Sequence, residues 1–586
     1  MFATLCHSVF KPPAWWRILL FAALLAGCHG NSGVPPVSYT DTIARMSAAI
    51  EQQLTQSGAS GGLSIALVDD QRVVWVKSFG YADAGARILA DPSTTYRIAS
   101  VTKVFTGTMV MQLSEQGRLA LNDPLTRFIP NFSIKPPLGF GPGAPITLHS
   151  ILTHHSGIPG DINNGVMTLV PDADFNDKLV SYLQGEYQSY PTNLILEYSN
   201  SAISLLASVI SNASGQSFSS FSDSLFQTLG MDHSSVSIDS PRVSATLAKG
   251  YQAGQEVPRF YNNGSTTGAI ISTIQDMAKF IKMVHAGGQG ERGQVLKPET
   301  MELMLTPQNR GVALDFDNSI GLNWFLNDAD LAYAGRLCYH DGANPGFRSH
   351  LEILRDHKLG VVVLANDEQL AFSEIARQTL KLALREKTGL TPVPSAPVAY
   401  GAPVVWDQAR LDARQGIYIL GSAMNSVPYI TVRSVAGALE WTSPDSGNTV
   451  HVIPRANGWL SAPQSQDSEF EFGEVSGRQV MLWHGNGQTA LLAEHYSPPP
   501  IPAAWLARLG SYRATNCQSA FPCGSASLIV ADGMLGFGSS VLAPVSDTLG
   551  YLRGLNRAGG SSVQALSTAP DGHEELQLLG VRYRRN

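Results

Sequence analysis

The sequence predicts an α+β chain, with helices and strands mixed through its first two thirds and a β-rich, barrel-like region after them. Three observations carry this. Segments of helical period are interleaved with strand-like runs as far as residue 388. A proline-rich stretch, residues 391–412, then interrupts the pattern. Beyond it, short alternating strands recur with Gly, Asn, Ser and Asp between them. The chain has 586 residues, 44% of them hydrophobic, which allows several domains of roughly 100–200 residues.

Lys11 and Arg17 precede the apolar run 18–26, which falls short of the roughly 20 residues of a membrane-spanning helix. A basic start and a short apolar core predict a secretory signal. The run ends in "LAGC", which resembles a bacterial lipobox, so residues 1–28 are expected to be a lipoprotein signal with Cys28 as the lipidated residue. His29 follows, where an Asp would hold a lipoprotein at the inner membrane. The expectation is a lipid anchor at the periplasmic face of the cell envelope, on the outer membrane. Only 15% of residues are charged and the net charge is −7, so no basic face for nucleic acid is expected.

Residues 29–38 read as a tether and 39–390 as the first folded domain. Its first helix is expected to be capped by Asp41, with Ile43, Met46, Ile50 and Leu54 on one face. A hairpin follows, turning at Asp69-Asp70-Gln71. Helices are expected near 101–117, 201–212 and 368–388, the last capped by Asp367, and strands at 349–354 and 361–366. In the C-terminal region 413–586, "ARQGIYI" and "ARLGSYR" open two related units, 413–496 and 507–586, separated by "SPPPIP". They are either two small β modules or two halves of one barrel. Cys517 and Cys523 could close a small disulfide loop in an oxidising compartment or stay as two thiols, and Cys338 is left without a mate.

The strongest chemical signal is "YRIASVTKVFTGTMVMQL". Ser100 opens an apolar-periodic helix and Lys103 lies three residues on, on the same face of the first turn. A serine hydroxyl needs an adjacent base to become a nucleophile. The spacing alone is cheap, since Ser8 and Lys11 share it inside the signal. The context is not: "RIASVTKVFT" and "ILTHHSGIP" resemble the serine β-lactamase and penicillin-binding protein family, in particular its class C β-lactamase, D,D-peptidase and family VIII esterase branch.

The resemblance implies an antiparallel sheet flanked by helices plus a helical lobe, and a catalytic set carried over motif by motif. Ser100 would be the nucleophile, with Lys103 beside it in the catalytic set. The second motif has two candidates, Tyr198-Ser199-Asn200 and Tyr261-Asn262-Asn263. The first precedes an apolar helix, as in the family, so Tyr198 would shuttle the proton and Asn200 would hydrogen-bond Lys103 and a substrate amide. Whether Lys103 or Tyr198 takes the first proton is left open.

The third motif should lie on a strand beside the nucleophile. Lys387-Thr388-Gly389 spells it literally but ends a helical run, with Gly389 placed as a helix stop. Three His-x-Gly triplets also occur, at His155, His285 and His340. Only His340-Asp341-Gly342 stands in a family-like segment, "HDGANPGFRS". His340 is therefore the expected third element, with Gly342 on the substrate strand and the Ala343 N–H joining that of Ser100 as oxyanion hole. Asp341 departs from the usual Thr or Ser. It would repel a substrate carboxylate unless a cation such as Arg348 offsets it, and it disfavours efficient β-lactam hydrolysis. No metal or organic cofactor is implied. The expected substrate is a small D-amino-acid peptide or amide, with peptidoglycan a natural source. An esterase of short acyl esters, or a weak β-lactamase, is the alternative. A pseudo-enzyme that binds cell-wall fragments is the non-catalytic one.

Overall fold

Strands from both ends of the first domain meet in one six-stranded antiparallel sheet. β1 (Gly62–Asp69) and β2 (Arg72–Asp83) form the expected hairpin, with Asp70 left-handed at its turn (φ 53°). β3 (Ile88–Leu89) extends one edge. β4 (Thr95–Arg97) leaves the sheet to pair with β5 (Ile271–Thr273) beside the nucleophile turn. Three late strands complete the sheet: β6 (Leu337–Asn344), β7 (Phe347–Leu354) and β8 (Leu359–Ala365). The order is β6-β7-β8-β1-β2-β3, closed by β8 against β1 with Leu63 opposite Ala365. All eight residues of β1 and all seven of β8 are buried, because helices cover both faces there. In this computed structural model the described residues are 37–586 without 141–142, 163, 393–399, 421–427, 445–446, 464–466, 556–559 and 567–572. The expected signal, Cys28 and most of the tether lie outside them. Among the described residues no helix is long and apolar enough to cross a membrane.

One sheet face packs on α1 (Thr40–Ser57) and α5 (Phe372–Thr388) through Ile50, Leu63, Val361 and Leu380. The other packs on α4 (Ile274–His285), behind which lies α2 (Thr102–Glu115), the helix that follows Ser100. α3 (Asn200–Ser204) starts at the Tyr198 loop, where the Ser199 side chain accepts the Ala202 N–H.

Two expected caps are corrected. Asp41 lies inside the first turn of α1 and binds Arg45 at 2.7 Å, while Tyr39 holds the cap position. Asp367 lies before α5, whose N-cap is Ala371, and accepts the Ser60 and Gly61 amides instead. That bond ties the loop before β1 to the end of β8. Lys387 sits in the last turn of α5, bound to Asp69 and the His357 carbonyl, and Gly389 follows at φ 77°. The literal Lys-Thr-Gly is a helix stop on the sheet's far side from Ser100.

The C-terminal region resolves the sequence alternatives into two closed eight-stranded barrels, from Gly416–Leu420 to Gln488–Tyr496 and from Gly510–Ala514 to Val581–Arg585. The internal repeat has a physical counterpart. Tyr418 donates to the Arg414 carbonyl at 3.0 Å, and Tyr512 donates to the Arg508 carbonyl at 2.6 Å, four residues back each time. Cys517 and Cys523 are joined as a disulfide, and Cys338 is a buried free thiol. The barrels grip the first domain: Tyr190 donates to the Gly554 carbonyl, Ser562 binds Glu186, and Phe521 of the disulfide loop sits edge-on to Phe260 at 5.2 Å.

Candidate active site

Ser100 stands in a single 3-10 turn, Ala99–Val101, that runs into α2. Ala99 is fully buried and left-handed at φ 47°, a conformation costly for a residue with a Cβ. The surroundings hold it there: Ile98 N donates to the Ile270 carbonyl at 3.0 Å, and Ser349 Oγ donates to the Ile98 carbonyl at 2.6 Å. The Ser349 bond fastens the turn to the sheet. It also sets β6, an edge strand, alongside the nucleophile.

Lys103 is fully buried one helical turn on. Its Nζ lies 3.1 Å from Ser100 Oγ and 2.9 Å from the Thr267 carbonyl. The same Nζ is 4.9 Å from the centre of the Tyr198 ring. Tyr198 is braced on both sides, stacked on His154 at 4.4 Å and facing Phe325 at 6.5 Å. His154 Nδ1 accepts the Ser199 N–H at 3.1 Å, so the ring under Tyr198 is tied to the Tyr198 loop. His155 turns away to Asp315 at 2.8 Å. Asn200 donates its amide to Asp161 at 2.7 Å, a partner the sequence reading did not anticipate. Tyr261 belongs to a short strand paired with residues 167–168, apart from this cluster.

β6 supplies the opposite wall. His340, Gly342 and Asn344 are buried on one face of the strand, and Asp341 and Ala343 are exposed on the other. Gly342 must be glycine: a Cβ there would lie 2.5 Å from the Ile98 carbonyl oxygen and 3.1 Å from the Ser100 nitrogen. This close approach is what brings strand and nucleophile together. His340 is 2% exposed, and its Nδ1 lies 2.6 Å from the Asp341 carbonyl. A carbonyl can only accept, so Nδ1 carries the proton and Nε2 presents a lone pair. No protein partner meets that Nε2 among the described residues. Burial, reinforced by the Lys103 charge, pushes the His340 imidazole down to about 4. The ring is therefore neutral at ordinary pH and acts as an acceptor.

Asp341 also departs from expectation. Arg348 does not offset it. The Arg348 guanidinium is taken up by Glu368 at 3.0 Å and by the Asn344 and Phe347 carbonyls. Asp341 instead faces His350, its direct partner across the β6–β7 ladder, with Oδ1 2.6 Å from Nδ1. His350 Nε2 lies 3.2 Å from Glu352, and both are wholly buried. Burial opposes the His350 charge, but the two carboxylates outweigh it and push the imidazole up to about 9. Partial burial works against ionisation of Asp341 as well, and His350 holds its carboxyl below the ordinary range. The pair His350 and Glu352 was missed in the sequence. Alternation in "FRSHLEIL" puts both on the same face of β7, but nothing local said that this face is buried against Asp341.

One cavity of about 1050 Å³ opens at this site. It contains Ser100, Tyr198, Asn200, His340, Asp341, Gly342, Ala343 and Arg348, and its apolar side is made by Ile162, Val166, Met167 and Phe175. Among the described residues no group of three His, Cys, Asp or Glu could hold a metal ion. The chemistry available is nucleophilic and acid–base: a hydroxyl, an amine on it, a phenol close by, and backbone amides on two facing segments.

A family model described as Beta-lactamase matches residues 48–386. Protein flp of Staphylococcus aureus (strain MRSA252) is 28% identical over 336 residues, covering 56% of this chain and 63% of that protein. The human protein described as putative beta-lactamase-like 1 is 27% identical over 369 residues, covering 59% and 71%. The octameric penicillin-binding protein homologue from Pyrococcus abyssi aligns over 77% of this chain and 99% of its own, with TM-score 0.51 and 22% identity. The structure of SurE with D-Leu aligns over 78% and 100%, with TM-score 0.53 and 19% identity. The chain thus spans less than two thirds of the flp protein it matches.

Proposed function

The chain belongs to the beta-lactamase family, and from that premise we propose that it is a serine hydrolase working through an acyl-enzyme, most at home on D-amino-acid peptides or amides. One observation carries the reading: a fully buried lysine amine 3.1 Å from a serine hydroxyl that opens onto a cavity. A purely structural lysine gains nothing from being desolvated against a serine at the floor of a cleft. Ser100 Oγ attacks the substrate carbonyl carbon while its proton passes to the Lys103–Tyr198 unit. The carbonyl oxygen becomes an oxyanion, held by the Ser100 and Ala343 amides. Collapse breaks the bond to the leaving group, which takes the stored proton. Water then attacks the ester by the same route and frees Ser100 and the acid.

A lipid anchor at Cys28 on the periplasmic face of the outer membrane, near peptidoglycan, completes the proposal. Hydrolysis of short acyl esters remains the second reading, and the open apolar side of the cavity favours it.

The test is mass spectrometry after incubation with a fluorophosphonate and, separately, with penicillin. The expected result is one adduct, on Ser100, absent in Ser100→Ala. A folded protein that takes no adduct from either reagent would favour the binding-only alternative.

A further inference from the structure

Tyr198 is held through the backbone on either side of it, and one of its anchors leads out of the first domain. The Glu197 N–H donates to the His154 carbonyl at 2.8 Å, and the Ser199 N–H to His154 Nδ1. The Leu196 N–H donates to Asp315 Oδ1 at 2.6 Å, across 119 positions of sequence. Asp315 closes a 3-10 turn, Ala313–Asp315, and is 1% exposed. Its other oxygen meets His155 Nε2 at 2.8 Å and the Asn309 amide. Replacing a buried ion pair by apolar residues is often neutral for stability, so the fold alone does not account for Asp315. What the carboxylate supplies is a fixed direction for the Leu196 N–H, two residues before the phenol.

The same turn faces the first barrel. Phe316 is left-handed at φ 51°, a costly conformation for a bulky residue. On one side of it Asp315 is aimed at the Tyr198 segment, and on the other Asp317 is aimed at the barrel. Asp317 Oδ2 accepts the Thr489 N–H at 2.5 Å, and the Asp317 N–H donates to the Thr489 carbonyl at 3.3 Å. Thr489 lies on the barrel's last strand, Gln488–Tyr496. Leu314 packs in one cluster with Tyr190 and Ile195, on the approach to Tyr198, and with Leu491 of that barrel strand.

We propose that Asp315 is a positioning residue for Tyr198, and that the first barrel, tied on through Asp317 and Thr489, is a working part of the catalytic unit. The inference rests on the serine-hydrolase reading. In that mechanism the proton taken from Ser100 passes to the leaving group as its bond to the acyl carbon breaks. A leaving group that departs as a stable anion does not need that proton, whereas an alkoxide does. A displaced Tyr198 therefore penalises the alkoxide far more.

The experiment compares two esters of N-acetyl-D-alanine on the full chain, p-nitrophenyl and ethyl, by kcat/KM, which reports formation of the one acyl-enzyme they share. Asp315→Ala should lower the ethyl ester about a hundredfold and the p-nitrophenyl ester about tenfold, widening their ratio about tenfold. Asp315→Asn keeps an acceptor for the Leu196 N–H and should hold the ratio within about twofold of wild type. Asp317 is exposed, and Asp317→Ala should widen the ratio about threefold. Tyr198→Phe should widen it as Asp315→Ala does, and the double variant should be no worse than Tyr198→Phe alone, because Asp315 acts through that phenol. A merely structural Asp315 would instead lower both esters equally and add its loss to that of Tyr198→Phe. Equal or additive losses in a folded protein that labels at Ser100 would overturn the inference and leave the hydrolase reading standing. If Asp315→Ala does not fold, Asp317→Ala decides, and an unchanged ratio there overturns the inference. A wild type that labels at Ser100 but hydrolyses neither ester has no proton relay to position, which also overturns this inference alone. No turnover together with no adduct at Ser100 would overturn both.

Discussion

Replacing His350 by Gln should remove about 3 kcal/mol of the chain's loss of stability between pH 6.5 and 9. The reasoning starts from geometry: a wholly buried imidazole lies 2.6 Å from Asp341 and 3.2 Å from Glu352. These carboxylates push it up to about 9, against an ordinary value of 6.5. The folded chain therefore binds this proton more tightly than the unfolded chain. The resulting stability is fully present below pH 6.5 and is lost as pH rises through about 9. Each tenfold in proton affinity corresponds to about 1.4 kcal/mol, so the loss between pH 6.5 and 9 is about 3 kcal/mol. Glu197, a buried carboxyl that burial pushes well above its usual range, adds a loss of the same sign as pH rises. It is common to both proteins, so the difference between them isolates His350. Chemical denaturation of wild type and His350→Gln at pH 6.5, 7.5 and 9 measures it. The variant should be much less stable at pH 6.5 and approach wild type by about 3 kcal/mol at pH 9. A stability difference that stays constant across the series would refute a charged His350 between two carboxylates.

Gly342→Ala should leave the chain folded and lower kcat on the order of a hundredfold, since its Cβ would push β6 away from Ile98 and Ser100, and a displacement near 1 Å is enough for such a loss. Steady-state kinetics beside a thermal melt checks it, and a kcat near wild type would mean that strand and nucleophile need not touch. Phe521→Ala should weaken the disulfide loop's hold on the cavity wall, because Ala520 N donates to the Met167 carbonyl at 2.7 Å and Phe521 sits on Phe260. An edge-on aromatic contact contributes about 1 kcal/mol, so hydrogen exchange of residues 164–168 should speed up about fivefold, and unchanged protection would show that the loop does not brace the wall.

The sequence was most legible where local pattern and chemistry coincide. Ser100 and Lys103 are one turn apart, and one turn of helix is enough to place them. Gly389 could be read as a stop because helical spacing runs right up to it. His340 could be located by its neighbours, but its charge could not, since neutrality depends on burial and on Lys103, a residue more than 200 positions away. Arg348 illustrates the opposite hazard. It is near Asp341 in sequence, yet their side chains have different partners, because β6 and β7 turn at Pro345 and Gly346 and the residue facing Asp341 across the ladder is His350. The two caps failed for a related reason: Asp41 and Asp367 are good capping residues locally, but each has a stronger tertiary partner, Arg45 with Arg385 for the first and the β1 entrance for the second.

The two histidines beside Ser100 are displaced in opposite directions, and that opposition has a consequence for the site. His340, on the face of β6 turned inward, is pushed down to about 4 and stays neutral. His350, one strand over, is pushed up to about 9 and stays charged. Between those limits neither changes its protonation, so the acceptor at His340 Nε2 and the orientation of Asp341 persist across the whole neutral range. Two histidines of ordinary affinity in the same places would add and remove positive charge around pH 6.5. Burying one imidazole against a lysine and the other between two carboxylates fixes the pattern of charge, and the cost falls on stability at the two ends of the pH range: the His340 contribution is lost as pH falls from 6.5 toward 4, and the His350 contribution as it rises toward 9.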